Sequence, residues 1–201
     1  MEYKQHLKKD KKLAPILVEA DHVIKKRKNT PVRLMASIIS QQLSTKVAAI
    51  IFGRFIALFD GKEPSCEQVL ACTNESLKSI GLSQSKVHYI QNVAQFFLEH
   101  KITDKQLYAM EPEAILELLT QIKGVGKWTV EMLMLFSLGQ EDVFAVDDLG
   151  IQQAMVKLYN IKYETKKELH TKMIAKSMTW TPYKTYACLH LWKWKDTKAP
   201  V

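Results

Sequence analysis

Apolar residues recur every third or fourth position along almost the whole of this 201-residue chain. Leu34, Ile38 and Ile39 lead into Val47, Ile50, Ile51 and Phe55. Ile115, Leu118, Leu119 and Ile122 keep the same spacing, and Val130, Leu133, Met134 and Ser137 continue it. That period lines one face of an α-helix. Alternating runs of β-branched residues, which would mark half-buried strands, do not occur. With only seven glycines and six prolines the turns must be short and specific. The pattern predicts an all-α protein of about ten helices, and the length suits one domain or two closely packed lobes.

Several helix starts are legible. Thr30-Pro31 sets a capping hydroxyl before a first-turn proline, and Thr181-Pro182 repeats the arrangement before the last helix. Pro64-Ser65 and Glu111-Pro112 open two more. The runs Lys8-Lys9-Asp10-Lys11-Lys12 and Lys25-Lys26-Arg27-Lys28 read as solvated helix faces.

A formal net charge of +8 favours an acidic partner, nucleic acid first among them, because each phosphate neutralised releases condensed counterions. An ordinary basic soluble protein carries such a charge equally well. Cys66, Cys72 and Cys188 are odd in number and lack ligand spacing, which argues against a disulfide framework and excludes a four-cysteine iron–sulfur cluster. No apolar signal region or membrane-length stretch is present. The expectation is a soluble intracellular protein without a signal peptide, cytoplasmic in a prokaryote or nuclear in a eukaryote.

Two segments carry chemistry. In Gly124-Val125-Gly126-Lys127-Trp128-Thr129 a glycine turn opens an apolar helix, so free N–H groups and the positive dipole end face outward, which suits a phosphate. Lys123 and Lys127 add charge. By itself Gly-x-Gly is more often a helix C-cap followed by a tight turn with no ligand. In the second segment, Val146-Asp147-Asp148-Leu149, two carboxylates precede a helical run. An aspartate there is usually an N-cap, and a pair allows one to cap while the other faces a cleft.

The stretch Leu119 to Val130, followed by Asp148, closely resembles the helix–hairpin–helix and Gly/Pro–Asp signature of the base-excision DNA glycosylase superfamily. Ser40-Gln41-Gln42-Leu43-Ser44 and Trp180-Thr181-Pro182-Tyr183-Lys184-Thr185-Tyr186-Ala187 resemble its alkylpurine (3-methyladenine type II) branch. The resemblance covers residues 30 to 195. It implies one glycosylase domain over 1–201, two packed lobes with a DNA-binding cleft, a hairpin at 113–138, and N- and C-terminal helices packed as one lobe.

The same resemblance implies the roles. Asp148 is the catalytic carboxylate; Trp128, Tyr183 and Trp180 form an aromatic pocket for the flipped base; Gln42 is the wedge that fills the gap in the duplex. Gly124, Gly126, Lys123 and Lys127 hold phosphate. The family hairpin sometimes holds a monovalent cation, for which the backbone carbonyls of Ile122 and Val125 are the donors; no catalytic metal or cofactor is implied. Trp192 and Trp194 read as core packing. Lyase relatives place a Schiff-base lysine where this chain has Trp128, so the expected enzyme is a monofunctional, monomeric hydrolase of alkylated purines in double-stranded DNA. Tyr183, Lys184 and Met132 depart from residues common in relatives and bear on substrate range. The β-rich N-terminal domain of some larger relatives is expected to be missing, since about thirty residues precede the stretch that carries the resemblance. Two other readings stand beside this one: a non-catalytic helix–hairpin–helix DNA-binding module, and a glycosylase for other damaged bases.

Overall fold

A computed structural model describes residues 1–19 and 21–197. Among these residues there are twelve α-helices, two short 3-10 helices and one isolated antiparallel bridge between Lys26 and Leu138. The all-α expectation holds. The count exceeds ten because α4 (Cys66–Ala71), α5 (Asn74–Ser79) and α7 (Asp104–Ala109) have six residues each, too few to repeat an apolar period. None of the helices is long and apolar enough to cross a membrane.

The chain divides into two compact units. The first takes Met1–Ile24 together with Gln140–Val201. It contains α1 (Glu2–Leu7), α10 (Leu149–Tyr159), α11 (Lys166–Ser177) and α12 (Lys184–Thr197), with α10 packed on α12. Leu7, Leu13, Ile151, Met155, Met173, Trp180 and Leu191 fill its core. Asp10 ties that core together, since its Oδ2 accepts from Tyr159 Oη at 2.8 Å, Trp180 Nε1 at 3.0 Å and Lys176 Nζ at 2.7 Å.

The second unit is Lys25–Gly139. Here α2 (Thr30–Ser40) packs on α3 (Thr45–Ala57), α6 (Gln84–Glu99) and α9 (Lys127–Phe136), while α8 (Pro112–Leu119) packs on α9. Leu34, Met35, Ile38, Ile39, Phe55, Val87, Ile90 and Val130 are buried. On α3 only part of the apolar pattern turns inward: Ile51 and Phe55 are buried, whereas Val47 and Ile50 are exposed.

Local caps follow the sequence at α3, α4, α5, α6 and α7, where Ser44, Ser65, Thr73, Ser83 and Thr103 each accept a backbone N–H. Two predicted caps are replaced by distant carboxylates. Thr30 does not cap α2; Asp104 accepts the N–H groups of Asn29 at 2.8 Å and Thr30 at 2.9 Å. Thr181 does not cap α12; Asp142 accepts the Lys184 N–H at 3.2 Å. A carboxylate satisfies these N–H groups and opposes the positive helix end better than a hydroxyl does. Neither lysine-rich run is a helix face. Residues 8–12 form turns after α1, and 25–28 run extended, with the Arg27 N–H donating to the Ser137 carbonyl at 2.8 Å.

Candidate functional site

The hairpin joins α8 to α9 through buried Ile122 and Val125, and the Val125 N–H donates to the Ile122 carbonyl at 2.9 Å. Gly124 sits at φ +101°, and a Cβ there would stand 2.1 Å from Cγ of Tyr89 on α6. Both the backbone conformation and the close approach require glycine. Gly126 differs: its φ is −94°, it is the N-cap of α9, and a Cβ would meet nothing within 4 Å. The protein's own packing makes no demand for glycine at 126, so the small residue leaves open surface before the N–H groups of α9. Lys123 and Lys127 are exposed, and the Lys127 ammonium lies 3.7 Å from Glu131. Asn92 Nδ2 donates to the Lys123 carbonyl at 3.0 Å, fixing the hairpin to α6.

Directly after the hairpin, Trp128 lines a concavity of about 290 Å³ with Arg33, Ser37 and Ser40 of α2 and Met132 and Phe136 of α9. Phe136 is 46% exposed, a large apolar ring left in water at the edge of a cavity. Arg33 is paired with Glu63 and donates through Nε to the Lys28 carbonyl at 3.4 Å.

The loop between α2 and α3 carries exposed Gln42 at φ +60°, a left-handed conformation that costs a residue with a Cβ about 1–2 kcal/mol. Its neighbours hold it. Lys86 Nζ donates to the carbonyls of Ile39 and Gln41, each at 2.8 Å, and Gln41 Nε2 donates to Thr129 Oγ1 at 3.2 Å.

In the first unit, Asp148 is the N-cap of α10. Its Oδ1 accepts the Ile151 N–H at 2.9 Å and the indole Nε1–H of Trp192 at 2.8 Å. A Cβ at Gly150 would lie 3.0 Å from that oxygen and 3.1 Å from the indole, so glycine makes room for the pairing. The cap and the candidate catalytic group are thus one residue. The neighbouring carboxylate, Asp147, lies 3.7 Å from Lys166 and 3.9 Å from His170.

Tyr183 is half-buried beside His6 and Tyr186, with ring centroids at 5.5 and 6.0 Å, and its hydroxyl donates to Glu2 at 3.4 Å. Trp180 requires a correction. It is 0% exposed, edge-on to Phe144 at 5.8 Å with its Nε1–H on Asp10, and its faces belong to the core instead of a base pocket. Among the described residues no group of three or more His, Cys, Asp or Glu side chains is gathered in a way that would hold a metal ion.

Residues 35–177, which include the hairpin and Asp148, match the model for HhH-GPD superfamily base excision DNA repair proteins. The chain belongs to this superfamily. Among HhH-GPD proteins, DNA-3-methyladenine glycosylase 1 of Schizosaccharomyces pombe is 34% identical over 164 residues, 80% of this chain and 70% of that protein. The Saccharomyces cerevisiae DNA-3-methyladenine glycosylase is 31% identical over 85% of this chain and 64% of its own length. Two solved HhH-GPD structures superimpose closely. The S. pombe 3-methyladenine DNA glycosylase in complex with abasic DNA has a TM-score of 0.84 and 30% identity, covering 96% of each chain. The DNA-3-methyladenine glycosidase of Bacillus halodurans has a TM-score of 0.83 and 36% identity, covering 98% of this chain and 89% of that one.

Within this HhH-GPD chain, three residues of the site escape a reading by pattern. Trp192 reads as core, yet it holds the carboxylate of Asp148; Lys86 and Thr129 hold the loop of Gln42. The partners are 44, 45 and 88 positions apart, and no local spacing signals them.

Proposed function

We propose that this base excision repair glycosylase hydrolyses the N-glycosidic bond of alkylated purines, 3-methyladenine and 7-methylguanine, in double-stranded DNA and leaves an abasic site. The observation that carries the reading is Asp148, a carboxylate at a helix start whose Oδ1 is oriented by both a backbone N–H and an indole.

Reaction at C1′ requires the nucleotide to be rotated out of the duplex. The exposed hairpin, with Lys123, Lys127 and the open surface at Gly126, grips the phosphates, and the charge of +8 extends that attraction along the backbone. Gln42 enters the gap in the stack. Trp128, beside its cavity, offers a ring face to the base. A cationic alkylpurine stacked on such a ring gains up to about 2 kcal/mol once desolvated, which a normal neutral base does not.

An alkylated purine already carries positive charge, so the electrons of the C1′–N bond flow to the base and it departs neutral without a general acid. The sugar is left as an oxocarbenium-like cation. The Asp148 carboxylate stabilises that charge and accepts a proton from the water that attacks C1′. Trp128 occupies the position after the hairpin where a lyase needs an amine, so the reaction ends at the abasic sugar. The carbonyls of Ile122 and Val125 lie at the turn and would hold a monovalent cation, which would add positive charge to the phosphate grip. The enzyme works as a monomer with the DNA, in a prokaryotic cytoplasm or a eukaryotic nucleus.

The test is incubation with methylated duplex DNA and chromatography of the freed bases, wild type beside Asp148→Asn. Release of 3-methyladenine and 7-methylguanine by the wild type alone is expected, with DNA binding kept in the variant. Near-normal release by Asp148→Asn, or no release by either protein, overturns the assignment.

A further inference from the structure

The end of α2 and the loop that follows it are held by one cation. An α-helix leaves its last four carbonyls without intrahelical partners. In α2 the Ser37 carbonyl accepts the Ser40 hydroxyl at 2.8 Å, Ile38 accepts the Gln41 N–H at 3.3 Å, and Ser40 accepts the Leu43 N–H at 3.1 Å. The fourth, Ile39, is taken by Lys86 Nζ, which also binds the carbonyl of Gln41, the residue immediately before Gln42. Lys86 stands in the first turns of α6, half-buried, and burial draws its ammonium below the ordinary lysine range. A buried ammonium is costly unless hydrogen-bonded, and these two carbonyls at the negative end of a helix supply what it needs.

The clamp has a second point. Gln41 Nε2 reaches the buried hydroxyl of Thr129, the residue after Trp128. Ser40, on the same stretch of backbone, lines the cavity beside Trp128. The left-handed Gln42 therefore directly follows a residue anchored twice, by its carbonyl to α6 and by its side-chain amide to α9.

We propose that Lys86 is a positioning residue that sets the register of Gln42 against the Trp128 cavity, so that gap filling and base capture occur as one rigid motion. The inference rests on the wedge role of Gln42. Lys86 touches neither substrate nor the reacting atoms; it acts through the loop. A loop released from the clamp relieves the strain at Gln42 by leaving the left-handed conformation, and the side chain then no longer aims where the base leaves the stack. The consequence is confined to substrates in which a base must be extracted from a duplex. A lesion in single-stranded DNA has no partner strand and no gap to fill.

The experiment compares single-turnover release of 7-methylguanine from a duplex and from the same oligonucleotide single-stranded, for wild type, Lys86→Met, Lys86→Arg and Gln42→Ala. Lys86→Met keeps the length of the side chain and removes its donors. It is expected to lose about tenfold to a hundredfold on duplex, the worth of hydrogen bonds to a charged group, with little change on single strands. Lys86→Arg, which keeps charge and donors, recovers part of the loss. Equal loss on both substrates, or none on duplex, overturns the inference. If Gln42→Ala retains full duplex activity, the wedge reading itself fails. If Gln42→Ala is impaired and Lys86→Met is not, only the positioning role fails. Should Lys86→Met not fold, Lys86→Gln, which retains a neutral donor, carries the same comparison with the same outcomes.

Discussion

The indole Nε1 of Trp192 donates to Oδ1 of Asp148 at 2.8 Å, the oxygen that also accepts the Ile151 N–H. Two donors on one oxygen fix the carboxylate plane, so the orientation of the proposed catalytic group is set by the last helix of the chain as much as by its own. A carboxylate preorganised in this way has no reorientation to undergo as positive charge grows on the sugar.

Trp192→Phe keeps the ring and removes the donor. Base release under single-turnover conditions is expected to fall about tenfold, in line with one lost hydrogen bond to a charged group, while affinity for abasic DNA is retained. A parallel loss of binding and release would mark the residue as merely structural.

The two hairpin glycines are expected to respond differently. Gly124→Ala meets both a positive φ and the Tyr89 ring, and thermal or urea unfolding should show a loss of at least about 2 kcal/mol. Gly126→Ala meets open space, so its stability should remain near wild type, while DNA affinity should fall if the proposed phosphate grip lies there. Equal destabilisation of both variants would contradict the division.

Stability should fall in two steps as pH is lowered. Burial, with the nearby charges of His22 and Lys4, depresses the buried His190 to about 4 from an ordinary 6.5. The unfolded chain takes up that proton first, so this contribution is complete above pH 6.5 and is lost as pH falls towards 4, about 3 kcal/mol in all. Burial would raise Asp10, but Lys176, Trp180 and Tyr159 hold it at about 2 against 3.8, so its share, about 2 kcal/mol, disappears between pH 3.8 and 2. Urea titrations across pH should show a smaller upper step in His190→Gln, the remainder belonging to His22, which burial also lowers, and a smaller lower step in Asp10→Asn. A wild-type profile flat from pH 6.5 to 4 would refute the first.

Borohydride added during turnover should trap no covalent protein–DNA complex, and the product strand should stay intact until treated with alkali. Replacement of Trp128 by lysine puts an amine at the hairpin position where lyases carry theirs, and a trapped complex appearing only in that variant would locate the missing chemistry. A trapped complex in the wild type would end the monofunctional reading.

The sequence alone determined what local chain chemistry can encode: the helical class through its three- and four-residue period, the helix start at Ser65, the glycine turn, and Asp148 at a helix start. The six-residue helices, the exposure of Val47 and Ile50, and the burial of Trp180 were decided by which face each helix had to bury, and periodicity does not name the partner that covers it. The same holds for the residues that orient the site. Trp192 to Asp148, Lys86 to Ile39 and Gln41, and Asp104 to Asn29 and Thr30 are pairings across 44 to 75 positions. A hydrogen bond depends on distance in space, to a few tenths of an ångström, and only the folded packing of helices brings such distant groups that close.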